Sequence, residues 1–581
     1  MSVNTSSPPS APLRWRLARK ILLSVAAVAT LVALFYTVEN WRGKRAWEKS
    51  KRKLEAAGEV LDWAAFIPAP VADDQNFFKA PKMQEWFVRP SLRELAVAQP
   101  AKAPQAFALP ARKEPELVVA EVKIAAPEVI ASSVTNTGLR LGDPAARAQA
   151  AKLLADAIGP CAIGTREWSV VMAQPLDQFK PLHLLLQADT VPSPKELAGV
   201  FLGNLTNAAP PYSDIHYLQA QSAGSNVFRI VLKAPVYGAA DYLAYTEPLT
   251  SAFDQIRKAL ERPYARIDCD YEQPFLIGIP NFITIRTVAQ LLAQRAQCYL
   301  LLGQPEAAWR ELTLVDDLRQ ILLAKPSGKP ITLVASMINV AISGLHTGIV
   351  KDGLRLHAWR EPQLLALQGQ LNATDLLAPV VESFREEWAA VGRTFEATSR
   401  SELVKLFGLG GSVGKVAMAW GPRGWFYQNL VAGAEARHEM LASVDLTNRL
   451  IMPHQVAAVF DKMSAKSMQH SPYTFFVVTA QPNYARAVET LACNQTLVNQ
   501  AWVACALERY RLAHGQYPEG LDALSPGLIE KLPHDLIGGQ PLNYQRTGGG
   551  YLLYSVGWDE KDDGGTLGKT REEGDWVWDL R

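Results

Sequence analysis

The apolar run Ile21–Val38 constrains this chain more than any other stretch. At about 18 residues it can cross a bilayer as a slightly short helix, since each helical residue rises only about 1.5 Å. Arg14, Arg16, Arg19 and Lys20 precede it, and Phe35, Tyr36 and Trp41 stand at its exit, where amphipathic rings favour the headgroup level. A secretory signal would share the basic start but would carry a shorter apolar core and a small-residue cleavage site. The run therefore reads as an uncleaved, single-pass anchor. The lipid bilayer is the partner of residues 21–38, and residues 1–20 form a cytoplasmic tail.

Residues 39–67 follow as a juxtamembrane helix in which Glu39, Glu48 and Glu55 interleave with Arg42, Lys44, Arg45, Lys49, Lys51, Arg52 and Lys53. Helical periodicity ends at Pro68. The stretch 68–137 is rich in Pro, Ala and Val, as in QPAKAPQAFALPARKEPE, and prolines hold such sequence extended, so it reads as a spacer.

At 581 residues the chain exceeds the roughly 250–300 residues beyond which single cores stop growing, so more than one domain is expected. Residues 138–280 are mixed and helix-dominated: Asp143-Pro144 makes a cap and first turn for a helix to Ile158, Asn226–Leu232 is rich in β-formers, and Pro248–Leu260 is helix-like. From 281 to 485 helical patterns dominate. In AQRAQCYLLLGQPEAAWREL, Ala296, Tyr299, Gly303 and Ala308 take the spacing of one tetratricopeptide-like hairpin. Only one copy is visible, and three or more repeats are needed for a stable repeat domain, so this part reads as an irregular helical array. Such an array either presents a surface to other proteins or serves as body.

Chemical motifs are weak. Gly410-Gly411-Ser412-Val413-Gly414 fits the serine-hydrolase pattern, but SRSELVKLFGL before it reads as a helix where that chemistry needs a strand. As a phosphate loop it fails, with Leu409 in place of the first glycine and Val416 in place of the hydroxyl residue. The nine histidines never take zinc spacing, and Cys161, Cys269, Cys298, Cys493 and Cys505 are too scattered for a disulfide framework or Cys-x-x-Cys site. Lys+Arg of 59 against Asp+Glu of 57 leaves no basic field for nucleic acid. No residue is assigned a catalytic role.

The end of the chain, 486–581, is the most structured text. Apolar residues from Leu491 to Leu512 give one buried helical stripe, stopped by Gly515. Leu542–Arg546 and Tyr551–Val556, split by the turn Thr547–Gly550, read as a hairpin. The loop Gly557–Asp575 then carries Asp559, Asp562, Asp563 and Asp575 and closes on Trp576 and Trp578. Clustered carboxylates either stay solvated or share a hard, oxygen-loving cation such as calcium. An EF-hand fits badly, because Lys561 and Thr570 stand where that motif needs acids.

The run from about Val503 to Trp578 resembles the C-terminal half of the major pseudopilin of type II secretion systems and related type IV pilin-like proteins. The matching features are ALERYRLAHGQYP with Tyr517 and Pro518, then Leu521 and Leu524, the Pro533–Asp535 step, the Gly-Tyr-Leu-Leu-Tyr-Ser strand and the Gly557–Asp559 turn. The resemblance implies an α+β module with a structural calcium after its last strand, carried over to Asp559 and Asp575, then Ser555, Asp562 and Asp563. A pseudopilin leader and cleavage site do not precede the module, so it reads as a borrowed domain and not a filament subunit. The anchor with its following helix is similar to the start of large membrane-anchored proteins of planctomycete- and verrucomicrobium-like bacteria, which brings no activity with it.

Orientation draws on both ends. The bases after the span would put the C-terminal side in the cytoplasm, whereas a weak calcium site is filled outside it. The expectation is a mainly α protein of the inner membrane with an extracytoplasmic, periplasmic body, acting as an envelope scaffold or adaptor near a secretion or pilus-like machine. The alternative is an extracytoplasmic hydrolase with its site in 138–280.

Overall fold

A computed structural model describes residues 13–89, 105–107, 117–125, 217–222, 227–235, 239–269, 271–272, 274, 279–323, 332–399, 420–467, 471–568 and 570–581. The protein is mainly helical with small sheets. The segment around Ser412, most of 138–280, and Cys161, His183, His216 and His470 lie outside the described residues.

The apolar run and the stretch after it share one helix, α1 (Leu13–Ala56), 44 residues long, so the helix expected over 39–67 ends at Ala56. It ends where Gly58 takes φ +88°, a conformation a side chain disfavours, and Glu59 N–H donates back to the Leu54 carbonyl. Its two halves differ in environment. From Ile21 to Val38 the large apolar side chains are exposed, whereas Glu39, Gly43, Trp47, Ser50 and Leu54 form a buried stripe at helical spacing. A second helix, Leu333–Arg355, is also long and apolar enough to cross a membrane, but most of it is buried in the body.

Within the stretch expected to be a spacer, residues 73–87 pack into the main core. Phe77, Phe78, Met83, Trp86 and Phe87 are buried there, together with Trp63 and Phe66 upstream. Asn76 holds this segment in place: its Oδ1 accepts from Phe78 N and Arg266 N, and its Nδ2 donates to the Arg266 carbonyl at 2.7 Å. Aromatic density drives the fold here. The prolines that suggested an extended linker shape the turns between short 3-10 segments.

The body continues with α2 (Met83–Phe87), β1 (Val88–Arg89), and a three-stranded antiparallel sheet of β2 (Leu117–Ala125), β3 (Tyr217–Ser222) and β4 (Val227–Pro235) in the order β2-β4-β3. After α3 (Ala239–Thr246) and α4 (Thr250–Leu260), the short strand β5 (Ile279–Pro280) pairs with β1. α5 (Phe282–Leu301) and α6 (Pro305–Leu322) then form a helical hairpin. Gly303 takes φ +69° in the connection, and Ala296 and Ala308 are fully buried between the helices. Arg295, Glu311 and Arg257 tie α4, α5 and α6 together, the buried Glu311 pairing with Arg257 at 2.7 Å and with buried Arg295 at 3.1 Å.

α7 (Leu333–Arg355), α8 (Glu361–Asn372) and α9 (Leu377–Ala397) follow, then α10 (Arg423–Leu441), the two-stranded β6 (Val444–Asp445) and β7 (Leu450–Ile451), and α11 (Pro453–Ser467). The central element is α12 (Phe475–His514), 40 residues, on which α7, α8 and α11 pack. It is longer than the predicted helix, and in place of one buried stripe nearly every residue from Leu491 to Glu508 is buried. Several of its buried polar groups find distant partners, while Thr496 Oγ1 and Gln500 Oε1 are buried without one among the described residues. Gln495 accepts from Leu376 N and donates to the Thr374 carbonyl, and Gln500 donates to the Trp576 carbonyl at 2.7 Å. Gly515, at φ +77°, ends the helix as its sequence position predicts.

The chain closes with β8 (Asn543–Thr547), β9 (Gly550–Ser555) and β10 (Trp576–Asp579), antiparallel in the order β10-β9-β8. The hairpin falls at the predicted place, with Thr547 opposite Gly550. The third strand was not read from the sequence: Trp576 and Trp578, expected only to close the loop, pair with Ser555 and Leu553.

Candidate functional site

The acidic loop between β9 and β10 holds the four aspartates expected to bind metal, and three of them accept from backbone amides of the loop. Asp575 is buried, and its carboxylate accepts from three backbone amides: Asp563 N at 3.3 Å, Gly565 N at 2.6 Å and Thr566 N at 3.3 Å. Asp559 accepts from Lys561 N and Gly574 N, each at 3.3 Å. Asp562 accepts from Gly564 N at 2.9 Å, while Asp563 is exposed. Ser555 Oγ donates to Asp535 Oδ1 at 2.8 Å and accepts from Gly557 N, at the start of the loop, at 3.3 Å.

Asp535 is the residue sequence reasoning missed as a site residue. Buried beside the sheet, it also accepts from Ile537 N and Val556 N, each at 3.0 Å, so one carboxylate joins the Pro533–Gly538 turn to the end of β9. Burial pushes its pKa up from the ordinary carboxylate range against these hydrogen bonds. The sequence signal was present in its place two residues before a backbone amide it could cap.

The loop glycines serve the same closure. A Cβ at Gly568 would stand 1.7 Å from the Glu573 carbonyl oxygen, and one at Gly557, whose φ is +72°, 2.1 Å from that of Gly574. Among the described residues no three His, Cys, Asp or Glu side chains group as metal ligands. The Asp559, Asp562 and Asp575 carboxylates expected to surround calcium accept hydrogen bonds from loop amides. Asp575→Ala is expected to lower the stability of the full chain by about 1–3 kcal/mol, the range for orphaned buried donors. If amides alone close the loop, the loss is the same in millimolar calcium and in chelator, read as the thermal midpoint; a calcium-dependent rise in the wild type, lost in this variant, would assign the loop a cation.

A second cluster joins the module to the body. Glu508 on α12 is buried and takes hydrogen bonds from Arg511 (2.7 and 2.8 Å), Tyr517 Oη (2.8 Å) and His357 Nδ1 (2.9 Å), the last from the end of α7. Burial alone would raise its pKa, but these donors outweigh it and hold the carboxyl below its usual range. With both oxygens occupied, Glu508 acts as a structural anion. Tyr551 packs edge-on against Tyr517 at 4.9 Å, and Lys351 of α7 lies over the Trp578 ring at 5.2 Å, so sheet, α12 and α7 share one interface.

The third cluster joins α1 to the body. Gly43 and Gly424 bring α1 and α10 into backbone contact: a Cβ at Gly424 would stand 1.9 Å from the Glu39 carbonyl oxygen, and one at Gly43 2.3 Å from that of Gly424. Asn40 Oδ1 accepts from Gly424 N at 2.9 Å, and Tyr473 Oη donates to Glu39 at 3.1 Å. Below the crossing Trp47 and Leu54 enter a core with Trp388, Phe426 and Leu430. Just past α1, buried Glu59 bonds His438 Nδ1 at 2.9 Å and pairs with Arg437 at 3.3 Å and Arg385 at 3.4 Å.

Burial would raise the Glu59 pKa, but His438, Arg437 and Arg385 outweigh it and hold the carboxyl below its ordinary value. A lowered folded pKa gives stability that is present above the unfolded value and lost as pH falls through the folded one. Glu59→Gln is therefore expected to cost about 2–3 kcal/mol at neutral pH, since it leaves Arg437 buried beside a neutral group. The gap in melting midpoint between wild type and variant should close below about pH 4. A gap that does not change with pH would show that the carboxylate charge is not what holds this junction.

Comparison with family models, with curated proteins and with solved structures finds no match for this chain. The three clusters are joints between elements.

Proposed function

We propose that the chain is a membrane-anchored scaffold or adaptor of the cell envelope, with its helical body outside the cytoplasm and a pseudopilin-like module at its end. The observation that carries this reading is the continuity of α1. Its exposed apolar half and its docked half are one uninterrupted helix, so the bilayer anchor and the body move together. A flexible tether would leave the body free to turn; this junction holds it at a set height and azimuth.

In this reading the α5–α6 hairpin is tetratricopeptide-like, and the array around it offers protein partners a surface. The module at 486–581 includes most of α12 and meets the body through Glu508 with His357 and Trp578 with Lys351, so it acts as part of the scaffold. Its resemblance to the major pseudopilin favours a neighbour in a secretion or pilus-like machine. The structural calcium expected in that module is tested by the comparison of midpoints described above.

The test is membrane sidedness in intact cells. Lys561→Cys, at an exposed position of the module, should react with a membrane-impermeant maleimide added outside the inner membrane, and Asn4→Cys in the tail should react only after lysis. The opposite pattern would put the body in the cytoplasm and overturn the envelope reading.

A further inference from the structure

Near the exit of α1 the body brings its own aromatics alongside the anchor. Tyr36 Oη donates to the Trp420 carbonyl oxygen, and the ring of Phe35 meets that of Trp425 edge-on at 6.5 Å. Trp420 is 73% exposed and Trp41 is 61% exposed, against the burial of most large rings in this protein. Arg423 between the two tryptophans is exposed, and Arg45 lies over the Trp41 ring at 5.3 Å.

The height of these groups follows from the helix. Phe35 and Tyr36 lie two or three residues before Val38, the last residue of the apolar run, which at about 1.5 Å per residue is about 3–5 Å toward the bilayer. A group packed beside them shares that level. If residues 21–38 cross the hydrocarbon, the start of α10 cannot stand in bulk water; it lies at the boundary where tryptophan and arginine are favoured.

We propose that residues 420–425 form a second membrane contact, resting in the lipid headgroup layer of the leaflet from which α1 emerges. This rests on the anchor reading above. The occupant is the lipid surface itself, because the exposed groups are indole and guanidinium, the pattern matches an interfacial belt, and the patch is continuous with the anchor. Two contacts, one spanning and one lateral, fix the tilt of the body over the membrane where a single helix would leave it free to rock.

The experiment uses the full chain with Cys161→Ser and Cys269→Ser, leaving the buried Cys298, Cys493 and Cys505. Single cysteines Val28→Cys, Arg423→Cys and Lys561→Cys are spin-labelled and reconstituted in vesicles of phosphatidylcholine and phosphatidylglycerol. Collisions with oxygen and with a water-soluble nickel chelate then give depth, because oxygen concentrates in lipid and the chelate in water. The proposal predicts a label at 28 deep in the bilayer and one at 561 in water. The label at 423 should lie between them, with an oxygen-to-nickel ratio several-fold above that at 561. A label at 423 as aqueous as the one at 561, with 28 deep, overturns this contact and leaves the anchor standing. A label at 28 in water overturns both.

Discussion

Gly424→Leu is expected to detach α1 from the body. The obstacle is backbone, since the new Cβ would stand 1.9 Å from the Glu39 carbonyl oxygen and 2.4 Å from its carbon. No rotamer relieves a clash that begins at Cβ, so α1 and α10 must separate. Separation then opens the core in which Trp47, Leu54, Phe426 and Leu430 are buried, and it breaks the Asn40–Gly424 hydrogen bond. A loss of about 3 kcal/mol or more is expected, at or above the upper end for overpacking at a site that can shift. Gly43→Leu should do the same from the other helix, because its Cβ would meet the Gly424 backbone at 2.3 Å. Gly348→Ala, where no atom lies within 4 Å, is the control. Limited proteolysis between Ala56 and Asp62 should become fast in the first two variants and stay slow in the third. Equal protection in all three would mean that the close crossing does not hold the two parts together.

Trp578→Ala should have the largest effect on the C-terminal module. The indole is 1% exposed, sits on β10 opposite Leu553, and carries Lys351 of α7 over its face at 5.2 Å. Its removal leaves a cavity at the joint of sheet and helices, for which large aromatic truncations cost about 3–5 kcal/mol. β10 is an edge strand of four residues, so the loss should free it first and then the loop that Asp575 closes. Trp578→Phe keeps most of the volume and should lose less than half as much. Urea unfolding followed at the module, by exchange of the β9 amides, reads the difference. Wild-type protection of those amides in the alanine variant would show that the module is held elsewhere.

The two predictions share a feature that explains what was legible in the sequence. Local signals were strong wherever chemistry and neighbourhood coincide along the chain. The apolar run, Gly303 between α5 and α6, Gly515 after α12 and the glycine turn between β8 and β9 all act within a few residues of themselves, and each stands where it was expected. What the sequence did not disclose depends on partners far away. Gly43 and Gly424 are ordinary helical glycines until the two helices cross. The prolines near Phe77 suggested a linker, because nothing local says that five large apolar side chains there have a core waiting. The apolar residues of α12 give a single stripe, whereas the polar Gln495, Gln500 and Glu508 are buried too and bond remote backbone and side-chain groups in the interior.

The candidate site shows the same division. Composition alone placed Asp559, Asp562, Asp563 and Asp575 in one glycine-rich loop, and that placement is seen. Their partners could not be read, because an Asp that accepts from amides nine to twelve residues away has the same sequence signature as one that waits for a cation. Asp535 was seen only as a step after Pro533. Its tie to Ser555, 20 residues on, exists only once β9 lies beside that turn.

The most direct test of the account is extraction of the full chain from native membranes. Alkaline carbonate and high salt release proteins held by charge or by surface contact, while a helix that crosses the hydrocarbon stays with the lipid. The account predicts that the chain remains with the vesicles through both washes and leaves only with detergent, and that Leu23→Arg with Val28→Arg makes it extractable without changing the melting of its body. Release of the wild-type chain by carbonate would contradict the central claim, since the exposed apolar half of α1 would then need some other cover.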